Sequence, residues 1–251
     1  MKISAIVITK NEENNIKDCL SCLEWVNEVI VIDSNSDDKT REIAKKMGVK
    51  IYICSKKGFD ERRNLGREKA QNEWLLYVDT DERVSGKLKE EILMQIKNPK
   101  TFSAFKIPRL NIHYGKPLKH GGWYPDFQTR LFRKKDLSHW FGKIHESAKV
   151  NGKTGELKNH FIHLSHCSIK ESFEKSALWT QMEADLFIKA NHPPVTIYHF
   201  IKVPLFEFFS RVFVKKGFLD GTVGWLEGAI QAFNKFLVYG QIWEKQQKSS
   251  R

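Results

Sequence analysis

Two carboxylates stand where a buried strand gives way to polar sequence. The run EWLLYVD (residues 73–79) ends in Asp79, and Asp81 follows after one threonine. Carboxylates one residue apart at a rigid strand end suit a hard divalent cation that also binds phosphate oxygens. Alternatively, Asp79 only ends the strand and Asp81 caps a helix expected to begin near Ser85. The pattern alone leaves both interpretations open.

The elements around this pair predict a doubly wound α/β fold. Four apolar runs predict strands, ISAIVIT (3–9), EVIVIDS (28–34), VKIYIC (49–54) and EWLLYVD (73–79), and the first, second and fourth are typical of buried strands. Helical sequence lies between successive runs, which predicts right-handed crossovers and a mostly parallel sheet. Such sheets bind ligands beyond the carboxyl ends of their strands, so Asp79 and Asp81 fall where this fold places its chemistry.

The net charge limits the classes of partner that the protein is expected to bind, but it does not single out one of them. The chain of 251 residues carries 42 basic and 30 acidic residues, a formal net charge of +12. This excess favours nucleic acid, an anionic membrane or phosphorylated substrates. A basic nucleic-acid-binding protein is therefore an alternative function, and it would not need the two carboxylates. The sequence lacks the glycine-rich motifs of P-loop nucleotide hydrolases and dinucleotide oxidoreductases, which argues against both classes.

The cysteines and the apolar runs indicate the cellular compartment in which the protein is expected to function. Cys19 and Cys22 form a Cys-x-x-Cys pair, which would suit zinc or redox chemistry, but no second close pair accompanies them. Free, reduced cysteines in a cytoplasmic protein are the favoured interpretation. The N-terminal apolar run is too short for a signal peptide, and no long uncharged stretch predicts a membrane span.

Several motifs in order carry a resemblance to a known family. The stretches AIVITKNEENNIKDCL, VIVIDSNSDDKT and DERRNLGREKAQNEWLLYVDTDERV resemble family 2 glycosyltransferases, which bind nucleotide sugars on a GT-A (Rossmann-like) fold. WYPDFQTRLFRK and GKIHESAKV resemble the branch that builds the lipopolysaccharide inner core, the β-1,4-glucosyltransferase group. The resemblance implies a catalytic domain over residues 1–168, with a donor-binding half (about 1–98) and an acceptor-side half (about 99–168). Residues 169–251 would form a C-terminal helical region.

The resemblance also implies site residues on the donor side. The donor-binding positions would be Thr9, Asn11, Glu12, Asp33, Ser34, Arg63 and Asp79. Ser34 stands where the family often has a second acid, which leaves the base of the nucleotide open. Asp79 and Asp81 match the motif that binds the diphosphate and Mg²⁺ or Mn²⁺, with Asp81 as the expected direct ligand. Taken singly, Glu12 and Asp33 are equally typical of helix caps, and Arg63 of a solvated helix face.

On the acceptor side, Glu146 aligns with the His-Glu pair of the branch and is the candidate general base. The alternative is a surface ion pair between Glu146 and Lys143 or Lys149. His145 would orient the site or simply fill space.

A long segment rich in glycine, proline and aromatics (111–134) is predicted to be an irregular binding loop. Within it, Trp123 and Tyr124 are candidates to stack on an acceptor sugar. The candidate phosphate-binding cations are Lys119, Arg130 and Arg133.

Three histidines follow in a predicted strand, His160, His163 and His166. Their spacing of three sends alternate rings to opposite faces, which argues against one site built from all of them. A histidine ligand is known among GT-A enzymes, so the resemblance makes His163 and His166 candidates for completing the Asp81 site, and the sequence leaves open whether either does.

The rest of the chain predicts helices, the first with Phe173, Ala177, Met182 and Leu186 along its packed face. Residues 203–243 concentrate aromatics but are interrupted by charges, as in helices that lie on an anionic membrane surface. Packing on the catalytic domain or on a second subunit is the alternative.

Together these features predict an inverting, metal-dependent glycosyltransferase. The expected reaction moves glucose from UDP-glucose to a heptose or similar residue of a lipid-linked lipopolysaccharide or lipooligosaccharide core. A family 2 transferase for another surface polysaccharide is the alternative within the class. The enzyme is expected to be peripheral at the inner face of the cytoplasmic membrane and to bind no nucleic acid.

Overall fold

The protein is described by a computed structural model over residues 1–56, 58–142 and 146–249. It consists of two compact units. The first unit contains Met1–Arg109 and Asp126–His163, and the second contains Leu110–Pro125 and the chain from Leu164 onward. The sequence-based boundary after residue 168 therefore differs from the boundary between the units. The segment from Leu110 to Pro125, expected in the acceptor-side half, belongs to the second unit.

The first unit begins with four parallel strands and intervening helices. The strands are β1 (Ile3–Thr9), β2 (Glu28–Asp33), β3 (Lys50–Ile53) and β4 (Trp74–Asp79), and the helices are α1 (Ile16–Ser21), α2 (Thr40–Lys46) and α3 (Phe59–Lys69). The strands lie in the order β3-β2-β1-β4, as predicted for a doubly wound fold. Every residue of β1 is buried, because a parallel sheet covered on both faces needs a continuous apolar run.

Beyond β4 the sheet becomes mixed. The next elements are β5 (Glu82–Val84), α4 (Gly86–Lys97), β6 (Phe102–His113), β7 (Lys116–Pro117), β8 (Asp126–Arg133), β9 (Leu137–Phe141), β10 (Ser147–Val150), β11 (Lys153–Glu156) and β12 (Phe161–His166). The sheet continues β4-β8-β6-β12-β5, with β8 antiparallel to both β4 and β6. Strands β9 and β10 form a separate antiparallel pair. The fold class is confirmed as α/β, but the prediction of an irregular loop throughout residues 111–134 is wrong where β8 forms.

The second unit is mainly helical. Its helices are α5 (Ile169–Lys189), α6 (Ile197–Phe209) and α7 (Gly221–Ser249), with a π-helical turn (Ser210–Val214) and a 3₁₀ helix (Gly217–Asp220) between the last two. Among the described residues, no helix combines the length and the apolar character needed to cross a bilayer.

Helix α5 packs through small side chains and not through the large ones that the sequence suggested. Its buried residues are Ser172, Ser176, Thr180 and Ala184. The predicted packed face is wrong, because Phe173 and Leu186 are each 45% exposed. Small residues at intervals of four let α7 approach closely, and Gln241 of α7 donates to the Thr180 hydroxyl at 3.3 Å.

Candidate active site

Three candidate residues end adjacent strands. Thr9 of β1 pairs in register with Asp33 of β2, and Ile8 of β1 pairs with Asp79 of β4. The strands are parallel, so their carboxyl ends lie at one edge of the sheet. The structure therefore brings Thr9, Asp33 and Asp79 to the same edge, as the sequence predicted.

Asp33 organises the two loops that leave this edge. It is fully buried, and its carboxylate accepts hydrogen bonds from the Ser36 amide (3.1 Å) and the Ser36 hydroxyl (2.5 Å). The Asn11 amide donates to the same hydroxyl at 3.0 Å, and the Glu12 amide donates to Thr40 Oγ1 at 2.7 Å. The loops after β1 and β2 are thus joined. A direct contact of Asn11, Glu12 or Asp33 with a nucleotide stays a prediction.

Two hydroxyls at this edge are buried without a hydrogen-bond partner among the described residues. They are Thr9 Oγ1 and Ser34 Oγ. The backbones of the two residues are joined, since the Ser34 amide donates to the Thr9 carbonyl at 2.9 Å. Buried polar atoms are nearly always satisfied, so a bound ligand or water is expected to supply the missing partners.

Asp79 lies between two buried arginines. Its Oδ1 is 3.3 Å from Nη2 of Arg63, and its Oδ2 contacts Nη2 of Arg130. Burial raises the pKa of Asp79, but the charges of Arg130 and Arg63 outweigh burial and hold that pKa well below its usual range. Both oxygens are therefore engaged, and Asp79 would have to release an arginine to bind a cation.

Glu82 and Arg109 complete the cluster, and the sequence analysis missed both. Glu82 is fully buried, and its Oε2 accepts from the Asp79 amide at 3.0 Å. Its Oε1 lies 3.4 Å from Arg130 and 3.7 Å from Arg109. Burial, reinforced by the charge of Asp79, raises the pKa of Glu82. The signal was present in the run DTDE, where Glu82 follows Asp81 directly.

Arg130 does not stand on a loop as expected. It lies on β8, is 5% exposed, and its guanidinium contacts Asp79 and Glu82. This placement favours a role in holding the two carboxylates. Its contact with an acceptor stays a prediction.

We expect Arg130→Met to lower the free energy of unfolding by up to about 3–5 kcal/mol, because Asp79 and the fully buried Glu82 each lose one of the two arginines that they contact. Urea denaturation should show a smaller loss at about pH 5 than at about pH 8, where the carboxyls are ionised. The sign follows from Glu82: a carboxyl whose pKa is raised on folding favours the folded state as pH falls. Lys106→Met, which breaks an exposed pair with Glu156, is the matched control and should change stability little. Equal losses in both variants would contradict the buried-pair interpretation.

Asp81 faces a histidine and does not cap the helix that follows. Its Oδ2 lies 3.3 Å from Nε2 of His163, on β12. The cap of α4 is Ser85, whose hydroxyl accepts from the Leu88 amide at 3.3 Å, so the capping interpretation of Asp81 is wrong. His166 belongs to the second unit, where its ring centroid lies 4.5 Å from that of His113.

The donor set near Asp81 can be tested for a divalent cation. No group of three acidic, histidine or cysteine side chains among the described residues is placed to hold a metal alone. Asp81 nevertheless supplies a carboxylate oxygen, the ligand type of Mn²⁺ and Mg²⁺, and His163 a nearby imidazole nitrogen, and substrate oxygens and water would complete the coordination. The residues present therefore fit a cation held largely by its substrate.

Arg63 joins Asp79 to Glu146. Its Nε and Nη2 donate to the same oxygen of Glu146, Oε1, at 3.0 and 2.8 Å. Arg63 is 3% exposed, and its guanidinium carbon lies 4.8 Å from the Trp140 ring centroid. Arg63 is therefore not a solvated helix face, and that alternative is wrong. Of the neighbours named from sequence, Lys143 and His145 lie outside the described residues.

The two aromatic candidates lie in the second unit. The Trp123 carbonyl accepts from the Asn111 side chain at 3.0 Å, and its ring lies 5.2 Å from the Arg211 guanidinium carbon. Tyr124 precedes a cis proline. Their role in acceptor binding stays a prediction.

A match to a known protein family establishes the class of the protein. The family profile described as glycosyl transferase family 2 matches residues 4–148, more than half of the chain. The chain belongs to glycosyl transferase family 2. It is therefore an enzyme, and the alternative of a basic nucleic-acid-binding protein is set aside.

Relatives of this family 2 glycosyltransferase have names of the same class. An uncharacterized glycosyltransferase of Rickettsia conorii is 29% identical over 99% of this chain and 92% of its own length. The lipopolysaccharide core biosynthesis glycosyltransferase LpsC of Rhizobium meliloti is 22% identical over 100% of this chain and 95% of its own.

Solved structures similar to this family 2 glycosyltransferase support the fold. Glucosyl-3-phosphoglycerate synthase of Mycobacterium tuberculosis with phosphoglyceric acid matches with a TM-score of 0.53 at 15% identity, over 76% of this chain and 81% of that one. The same enzyme with Mn²⁺, UDP and phosphoglyceric acid gives 0.52 at 14% identity, over 76% and 79%. At these identities the likeness shows the GT-A-like fold alone.

Proposed function

We propose that the protein transfers glucose from UDP-glucose to a sugar hydroxyl of a lipopolysaccharide or lipooligosaccharide core, such as a heptose, with inversion at the anomeric carbon. The observation that carries the proposal is the ion-pair chain Asp79–Arg63–Glu146 at the end of β4. It joins a position suited to the donor diphosphate to a carboxylate suited to an acceptor hydroxyl.

The donor proposal draws on the loop edge and on the similar fold. Thr9, Asn11, Glu12, Asp33 and Ser34 lie in or beside the joined loops after β1 and β2, where buried hydroxyls lack partners among the described residues. The similar synthase of known structure binds UDP with Mn²⁺. A uridine nucleotide sugar is therefore the donor that this edge supports best.

Asp81 and His163 would hold a divalent cation beside the diphosphate. The cation, when bound, stabilises the negative charge that gathers on the leaving UDP. Arg63 is placed to share that work, because its guanidinium already lies between two carboxylates and would exchange one of them for phosphate oxygens.

Glu146 would act on the acceptor. It accepts the proton of the acceptor hydroxyl while the hydroxyl oxygen bonds to the anomeric carbon. UDP leaves from the opposite face with the electron pair of the broken bond, so the anomeric configuration is inverted. Arg63 binds only Oε1 in the contacts described, which orients the carboxylate for proton transfer at Oε2.

The acceptor class rests on the relative LpsC, which aligns over the whole of this chain. A core acceptor is attached to lipid, so we place the enzyme at the inner face of the cytoplasmic membrane. Another surface polysaccharide is the alternative acceptor, and the experiment below separates the two.

The purified chain should be incubated with UDP-glucose, UDP-galactose, UDP-N-acetylglucosamine or GDP-mannose, with and without Mn²⁺. Acceptors should include a delipidated heptose-containing core oligosaccharide and unrelated oligosaccharides. We expect Mn²⁺-dependent transfer from UDP-glucose to the core acceptor, abolished by a chelator, with a β-linked product by nuclear magnetic resonance. Transfer only to another glycan would overturn the core assignment, and metal-independent transfer would overturn the role of the cation.

A further inference from the structure

Helix α6 exposes a broad apolar side. None of its 13 residues is buried. Its exposed large apolar residues recur at the spacing of one helix face: Ile197, Tyr198, Ile201, Leu205, Phe206 and Phe209, each between 52% and 73% exposed. A helix of a globular protein normally directs such a stripe to the core. In α6 the less exposed side is apolar as well, since Phe200 packs against Phe236 and Phe208 against Trp225, both on α7, so the exposed stripe is a second apolar side of the helix.

The exposed apolar surface continues past the end of α6. The π-helical turn adds Phe213 (42% exposed) and Val214 (64%), and the 3₁₀ helix adds Phe218 (43%) and Leu219 (55%). We call α6 together with these two segments (residues 197–220) the α6 face. Single exposed apolar residues are ordinary on protein surfaces, but a contiguous run of this length marks an interaction site.

The exposed charges of the α6 face are basic. Lys202, Lys215 and Lys216 are exposed. The two acidic side chains of the segment are little exposed and are paired. The Glu207 side chain is 20% exposed and pairs with Arg211. The Asp220 side chain is 5% exposed and pairs with His120. The surface therefore offers cations beside apolar side chains, without exposed carboxylates.

This combination favours an anionic bilayer over a second copy of the chain. A two-fold dimer through the α6 face would bring Lys202, Lys215 and Lys216 of both copies into one interface in which the α6 face supplies no exposed carboxylate to pair with them. A bilayer surface accepts the apolar and aromatic side chains at headgroup depth and pairs the lysines with lipid phosphates. No described helix is long and apolar enough to span the bilayer, so docking would be interfacial.

We infer that the α6 face is the membrane-docking surface of the enzyme and binds anionic phospholipid headgroups. The inference rests on the proposed function for its purpose, because a lipid-linked acceptor would then share one surface with the enzyme. Tyr198 and Lys202 illustrate the arrangement: the ammonium lies 4.8 Å from the ring centroid, so a ring and a cation stand together on the outward side.

Binding should be measured by co-sedimentation with vesicles of phosphatidylglycerol and phosphatidylethanolamine, and with vesicles of phosphatidylcholine alone. The wild-type chain should bind the anionic vesicles, less tightly as salt is raised. The triple variant Ile201→Gln, Leu205→Gln, Phe206→Gln should lower partitioning about 100-fold without lowering thermal stability, since these side chains are already exposed. The pair Lys202→Gln, Lys216→Gln should lower partitioning to anionic vesicles about 30-fold.

Matched controls come from the first unit. Ile53→Gln with Met94→Gln removes side chains that are 55% and 62% exposed, and Lys87→Gln with Lys97→Gln removes exposed lysines. Both pairs should bind vesicles as the wild type does. Equal losses in controls and α6-face variants would overturn the inference, as would a dimer by analytical ultracentrifugation that the triple variant abolishes while vesicle binding is absent.

The test also separates the docking surface from the proposed function. Vesicle binding needs no substrate, and transfer to the delipidated core oligosaccharide needs no membrane. Vesicle binding that fails while transfer to the soluble acceptor persists overturns the docking surface alone. Docking that behaves as expected while no donor supports transfer overturns the function alone.

Discussion

Asp81→Ala is expected to lower sugar transfer by about 1,000-fold or more while leaving the fold intact. The Asp81 side chain is 33% exposed and faces His163 at 3.3 Å. The N-cap of α4 is Ser85 and not Asp81, so removing the Asp81 side chain should not destabilise that helix. The loss should therefore appear in cation-assisted stabilisation of the leaving diphosphate and not in thermal stability.

Calorimetry of UDP binding with and without Mn²⁺ measures this effect directly. In the wild type Mn²⁺ should tighten UDP binding, and in Asp81→Ala the metal should add little. Asp18→Ala is the control, because Asp18 is an exposed acid on α1. An unchanged Mn²⁺ dependence in the Asp81 variant would remove this residue from the metal site.

The parallel half of the fold could be predicted from sequence because its signal is local. Strands β1, β2 and β4 are apolar runs, which strands buried on both faces require, whereas none of the residues of the edge strand β3 is buried. Strand β8 does not follow from local sequence, because it comes after a segment rich in glycine and proline and joins the sheet through distant partners on β4 and β6. The packed face of α5 does not follow from hydrophobicity, because it depends on how small side chains fit against α7.

The candidate site likewise has features that follow from the sequence and features that do not. That Thr9, Asp33 and Asp79 meet at one edge follows from parallel pairing, which sequence can imply. The contact between Arg63 and Glu146 does not follow from the sequence, because the two residues are 83 positions apart. Only tertiary packing brings them together. The buried positions of Glu82 and Arg130 likewise depend on β8 lying beside β4, an arrangement that the sequence reading did not contain.

The contact between Arg63 and Glu146 has two interpretations that differ in their kinetics. In one, Glu146 is a structural partner that holds Arg63, and its loss should weaken donor binding. In the other, Glu146 is a general base that Arg63 orients, and the loss of Glu146 should slow the chemical step. Glutamine separates them, because its carbonyl can still accept from Arg63 while the side chain can no longer take a proton.

Glu146→Gln is therefore expected to leave UDP-glucose affinity within about 2-fold and to lower turnover roughly 100- to 10,000-fold, the range typical of general-base loss. Rapid-quench measurement of a single turnover, beside donor titration, reports the two quantities separately. Glu156→Gln on β11, an exposed acid of the same unit, should leave both unchanged. Weakened donor binding with near wild-type turnover would make Glu146 a positioning residue for Arg63. The base would then be sought first at Asp126, although Arg109 outweighs burial there and lowers the pKa of that carboxyl, which makes it a weaker proton acceptor.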